Sequence, residues 1–167
     1  MWGRDGENVM NSGLALFLAF SIGVVAGLRS LTAPAVVAWA AHLGWINLHG
    51  SPLAFMGPVW AVAIFTVLAL VELLADQLPS TPSRTAPVGL SARILTGALT
   101  GACLAVAGGA TLWLGALAGA LGGIAGAFAG YQARVGLVRM LHVPDFAIAI
   151  PEDVIAIGLG LLLVSRF

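Results

Sequence analysis

Ionisable residues inside long apolar runs are where this sequence could do chemistry. Glu72 and Asp76 lie four apart in VELLADQLP, so on a helix they share one face. Glu152 and Asp153 follow Pro151 in IPEDVIAIG, Arg29 stands beside Ser30 and Thr32 in GLRSLTAPA, and Gln132 and Arg134 sit in GYQARVGL. Such carboxylates can carry a proton or hold a hard cation through oxygen, whereas a guanidinium clamps an anion. The mixture argues against a divalent cation, because the arginines compete for the same oxygens. It fits a proton-coupled or anion-binding pocket, with Arg29 or Arg134 on the anion and a carboxylate carrying the proton. Ion pairing alone is the competing reading. Glu152 and Asp153 would then cap a helix opening after Pro151, and Arg29 would be a counter-ion. Glu72 and Asp76 fall near the C-terminal end of their helix, where the macrodipole opposes negative charge. They need a compensating partner, for which Arg29, Arg84, Arg93 and Arg134 are available.

Other chemistries find little support. Cys103 is alone, so there is no disulfide framework and no cysteine-based metal site. His42, His49 and His142 fall in loops or at boundaries, and the hydroxyls of Ser30, Thr32 and Ser83 lack a nearby base in sequence. Neither an enzyme nor a bound metal or cofactor is expected.

The elements that must position these residues follow from composition. Of 167 residues, 60% are hydrophobic and 8% charged, whereas a soluble domain has about 25% charged residues. So few charges cannot solvate a surface in water, and the chain also lacks the basic stripe of a nucleic-acid binder. The expected solvent is lipid. A crossing takes about 20 largely apolar residues, and 13–33, 58–78, 91–109, 112–132 and 147–165 qualify. The expectation is a single domain over 1–167: an all-α polytopic membrane bundle of about five transmembrane helices. Residues 33–45 are apolar but too short to cross. Pro34 predicts a kink or break near GLRSLTAPA, where a re-entrant turn would carry Arg29 towards the centre.

Arg84, Arg93, Arg134 and Arg139 fall on one side of a five-crossing path, the cytoplasmic one by the positive-inside rule. That path puts the N-terminus in the cytoplasm and loop 46–57 outside. The start, MWGRDGENVMNS, does not read as a cleaved signal. A bacterial inner membrane is the natural location. Trp39, Trp45, Trp60 and Trp113 would form an aromatic belt at the outer boundary. The fourth span carries Gly115, Gly119 and Gly123 in one row and Gly122, Gly126 and Gly130 in another. Such rows let helix backbones touch on two faces, which makes this span the centre of the bundle or of a homodimer. GVVAGLRSLTAP and GAFAGYQARVGL share a G-x-x-A-G frame on spans expected to run in opposite directions, as an inverted repeat would require.

The blocks AGLRSLTAPAVVAWAA, VELLADQLPSTPSRTAPVGLSARI, GYQARVGL and EDVIAIGLGLL, with A-D-x-x-P, P-S-R-T and E-D-x-x-A-I-G within them, resemble a family of small bacterial integral membrane proteins known as a domain of unknown function. The resemblance covers about residues 14–165. It implies no activity, but implies that Arg29, Glu72, Asp76, Pro79, Arg84, Arg93, Arg134, Glu152 and Asp153 are motif positions. Where this chain has Gln77, members often have Lys. The leading expectation is a small transporter or channel for a polar or ionic solute. Its site would hold Arg29, Ser30, Thr32, Glu72, Asp76, Arg134, Glu152 and Asp153, supported by Arg84, Arg93 and Gln132. The alternative is a membrane scaffold or accessory subunit, its charges merely paired and its glycines merely packing helices.

Overall fold

The computed structural model describes residues 4–75, 85–142 and 145–167. These form six helices and no strand: α1 (Arg4–Leu28), α2 (Thr32–His42), α3 (Val59–Ala75), α4 (Pro87–Ala107), α5 (Leu112–Leu141) and α6 (Asp145–Val164), with a 3-10 turn at Ala54–Met56. α4 and α5 are long and apolar enough to cross a membrane, and Ser12–Leu28 and Val59–Ala75 are shorter apolar helices.

The chain breaks where Pro34 predicted. α1 stops at Leu28 and α2 starts at Thr32, with Pro34 in its first turn, where a missing N–H costs nothing. α4 likewise opens on Pro87. Two helix ends differ from expectation. α5 continues past Gln132 and Arg134 to Leu141, because polarity alone does not break backbone hydrogen bonds, and stops at left-handed His142. α6 begins at Asp145 and contains Pro151, so Glu152 and Asp153 lie two turns inside it and do not cap it.

Close approaches fix the helix directions. A Cβ on Gly97 would sit 2.5 Å from the Gly119 carbonyl oxygen, and one on Gly123 would sit 2.6 Å from that of Arg93. Residue numbers fall on α4 as they rise on α5, so these helices are antiparallel. On α1, Gly23 meets Gly119 and Gly27 meets Gly123, so α1 and α5 run parallel. The inverted repeat expected from their shared G-x-x-A-G frame paired helices of the same direction and fails in that form. Arg29, just before α2, pairs with Asp153, and Val36 of α2 lies against Gly160, so α2 runs parallel to α6. α6 in turn ends with Phe167 beside Gly108, itself against Ala15 of α1. α2 therefore turns back antiparallel to α1.

This reversal is what the five-crossing path missed. α3 runs back along α2, from His42 beside Gly57 to Ser30 beside Glu72. The described path thus alternates direction from α1 to α6. α1 starts at the end opposite Arg93 and Arg134, not beside them, while α2 brings the chain into loop 43–58 at the same end where α1 starts. All six predicted glycines of α5 are buried. Gly115, Gly119 and Gly123 meet α4, and Gly122 and Gly126 meet the backbone of α1 at Phe20 and Val24.

Candidate functional site

The site grows from the α1–α2 break. A helix end leaves carbonyls unpaired and a helix start leaves N–H groups unpaired, and burying either without a partner is costly. Here side chains from other helices complete both. The Glu72 carboxylate of α3 accepts from the Ser30 N–H at 2.8 Å, the Ser30 hydroxyl at 2.5 Å and the Leu31 N–H at 2.8 Å. Glu72 is thus a tertiary cap for α2. The partner its position demanded is not a guanidinium but the positive end of another helix. The Gly27 carbonyl at the end of α1 accepts from Arg93 Nε at 3.0 Å, and Arg93 also donates to the Gly89 carbonyl at 2.9 Å.

The break carries Arg29, which is fully buried and forms an ion pair with Asp153 of α6. One residue before Asp153, Glu152 lies 3.8 Å from Arg134 of α5, both about one-seventh exposed. The two pairs form a short polar series, from the slightly exposed Arg134–Glu152 contact to the closed Arg29–Asp153 contact. Thr32 is buried as well, and its hydroxyl finds no hydrogen-bond partner among the described residues.

A family model matches residues 16–165, nearly the whole chain. The chain belongs to the family described as Domain of unknown function (DUF4126). Within this DUF4126 match lie Arg29, Glu72, Arg93, Arg134, Glu152 and Asp153, the residues that the structure gathers at the break and along α6. No curated protein and no solved structure matches the chain.

Of the residues expected at a site in this DUF4126 chain, the fold brings Arg29, Ser30, Glu72 and Asp153 around one turn, with Arg93 in support and Glu152 with Arg134 next to them. Thr32 opens α2. Gln132 is exposed on α5. Asp76 and Arg84, like Pro79, Gln77 and Ser83, lie outside the described residues. No group of three metal-ligating side chains occurs among the described residues. Sequence reasoning missed the backbone partners at Gly27 and Leu31. It also missed Ala149 and Ala156, which are fully buried and share the inner face of α6 with Asp153, Gly160 and Val164. The signal was present: buried small residues recur there every three or four positions around one acid.

Proposed function

We propose that this is an integral protein of a bacterial inner membrane that moves a small polar solute past the Arg29–Asp153 pair. The membrane reading is supported by the two ends of the bundle. Trp45, Trp60 and Trp113 are exposed at one end, and Arg134 and Arg139 lie at the other. From Trp113 to Arg134, α5 rises about 32 Å, close to the roughly 30 Å of a bilayer core. Large apolar side chains such as Val67, Leu74 and Leu95 cover the outside between them. By the positive-inside rule the arginine end faces the cytoplasm. Given the helix directions, α1 then starts on the outer side, the reverse of the orientation expected from a five-crossing path.

The observation that carries the transport reading is a helix broken at depth around a buried ion pair. Arg29 lies about 21 Å along α1 from Ala15, and Asp153 lies about 12 Å inside α6. An unbroken apolar helix would need neither Glu72 nor Arg93, and each buried charge costs about 2.5–3.5 kcal/mol on insertion scales. Irregular backbone at membrane depth is found buried in protein or lining a cavity, and transporters build sites from such broken helices. Arg134 and Glu152 lead inward from the cytoplasmic end. Arg29 and Asp153 carry the function, while Glu72 and Arg93 hold the break open for them.

The test is a solute, ion and proton flux screen in proteoliposomes, comparing wild type with the double variant Arg29→Met/Asp153→Leu. Replacing a buried pair by apolar side chains is often neutral for stability, so this variant is expected to fold and to lose transport. Absence of wild-type flux for every solute tested would sink the reading. A second reading, a membrane scaffold or accessory subunit, is favoured by the saturation of Glu72 with three hydrogen bonds. It predicts that the double variant keeps every property of the wild type.

A further inference from the structure

Three segments far apart in sequence converge at Gly108. A Cβ there would sit 2.5 Å from that of Ala15 on α1 and 3.3 Å from the ring of Phe167, so the end of α4, the outer part of α1 and the residues after α6 meet at one point. They do not close on one another. Beside Gly108 they leave a cavity of about 280 Å³, walled by Leu14 and Leu18 of α1, Ala107 of α4, and Arg166 with Phe167. Leu18 is 6% exposed, whereas Leu14, one turn nearer the start of α1, is 56% exposed. The cavity therefore leads from the packed interior to the outside of the bundle. Phe17, three residues after Leu14 on the same flank of the helix, is exposed too and continues the apolar wall towards the middle of α1.

Arg166 stands at the end opposite Arg134 and Arg139, where the positive-inside rule gives no reason for a cation. Glu72, Glu152 and Asp153 are engaged at the break and with Arg134, and Arg166 forms no ion pair among the described residues. Its backbone N–H donates to the Leu163 carbonyl at 3.3 Å and that of Phe167 to the Val164 carbonyl at 3.4 Å, which holds both residues against the end of α6. A cation after a last turn also complements the macrodipole, but that role needs neither a cavity nor an apolar wall. A guanidinium at the rim with apolar surface beside it is complementary to an amphiphile with an anionic head. Exposed Trp113, five residues past Gly108 at the start of α5, sets the level: interfacial tryptophans lie among lipid headgroups. The cavity has the volume of about nine liquid waters, room for a phosphate and its glycerol but not for two acyl chains.

We infer that this cavity seats one phospholipid of the outer leaflet, its phosphate on the Arg166 guanidinium and one acyl chain along Leu14 and Phe17. The seat rests on the membrane reading proposed above and not on transport. The full chain, purified in detergent, is mixed with dioleoyl phosphatidylglycerol, and bound lipid is counted by native mass spectrometry. One molecule per chain is expected. Dioleoylglycerol, with the same chains and no phosphate, and phosphatidylglycerol on Arg166→Gln should each bind roughly tenfold more weakly, as loss of a hydrogen bond to a charged group implies. Ala107→Leu, which fills the cavity, should remove binding, whereas Arg139→Gln, the same change at the other end, should leave it unchanged. Equal binding of the two lipids, wild-type binding by Arg166→Gln or Ala107→Leu, or an equal loss in Arg139→Gln would overturn the inference. Wild-type binding by Arg166→Gln with a lowered melting temperature would assign the arginine to the helix dipole alone. Displacement of the lipid by millimolar inorganic phosphate would also overturn it, by showing an anion site that does not read the lipid. Alkaline carbonate extraction separates the seat from the reading beneath it. If the wild type is released from membranes, the membrane reading falls and the seat with it; if it stays in the membrane and binds no lipid, only the seat falls.

Discussion

Around Gly119 three helices touch backbone to backbone. A Cβ on Gly119 would collide with the Gly97 carbonyl of α4, and one on Gly23 of α1 would collide with the carbonyl of Gly119 itself. Around Arg29 the helices meet through charge and hydrogen bonds: Glu72 from α3, Asp153 from α6 and Arg93 from α4 all reach one turn. The first region is held by shape, with no side chain that could exchange partners. The second is held by groups that water or a solute can replace one at a time. α3 sharpens the contrast: of its residues only Ala61, Val62, Ala69 and Glu72 are buried, and its polar attachments include the buried Glu72 cap and the exposed hydrogen bond that Thr66 accepts from Trp39. The backbone-packed α1–α4–α5 core stands beside a flank in which α2 and α6 still bury apolar residues such as Val37 and Val164 in the common core, whereas α3 is the least buried, so motion in the flank is expected first at α3.

The strongest way to break this comparison is at its rigid side. Gly119→Leu is expected to cost well over the roughly 1–3 kcal/mol usual for overpacking, because backbone and not a flexible side chain stands in the way. That approaches the total stability of a domain, so monodisperse protein should not be recovered from detergent; recovery of folded Gly119→Leu would show that the core yields. Next in size are Arg29→Met and Asp153→Leu taken singly, each breaking a buried ion pair by removing one member, at about 3–5 kcal/mol. The double variant should recover most of that loss in thermal unfolding. Additive losses would mean that the two residues do not act as a pair. Smaller again is Glu72→Ala, at about 3 kcal/mol for the buried Ser30 N–H and the part-buried Leu31 N–H left without an acceptor. Glu72→Gln, which keeps one carbonyl oxygen, should cost less than Glu72→Ala. Equal melting temperatures for wild type and Glu72→Ala would remove the cap from the argument.

How much of this was legible depended on what carries the signal. The glycine rows of α5 were readable because i, i+4 spacing is itself the packing feature, and the importance of Glu72 because an acid in an apolar run demands a partner. The identity of that partner was not readable. It is a pair of backbone N–H groups some forty residues earlier, and backbone ends leave no letter in a sequence. The break at Arg29–Leu31 was announced by Pro34, but the reversal after it was not, since α2 is half the length that a crossing-by-hydropathy argument recognises. That one missed reversal also misplaced the start of α1 relative to the arginines. The alternative in which Glu152 and Asp153 cap a helix opening after Pro151 failed because α6 already starts at Asp145 and carries Pro151 in its interior.

The smallest expected effect decides what lies outside the flank. Leu74 on α3 is 68% exposed, whereas Leu104 on α4 is fully buried. Leu104→Ala should cost about 2–5 kcal/mol, as buried leucine truncations do. If lipid or detergent covers α3, Leu74→Ala exchanges one apolar contact for another and should stay within about 0.5 kcal/mol of wild type. Thermal unfolding of both variants in the same detergent makes the comparison direct. A cost at Leu74 close to that at Leu104 would mean that protein covers this face, with a second copy of the chain the first to test by cross-linking. The flank would then be clamped from outside, and motion between it and the glycine core would require the two copies to part.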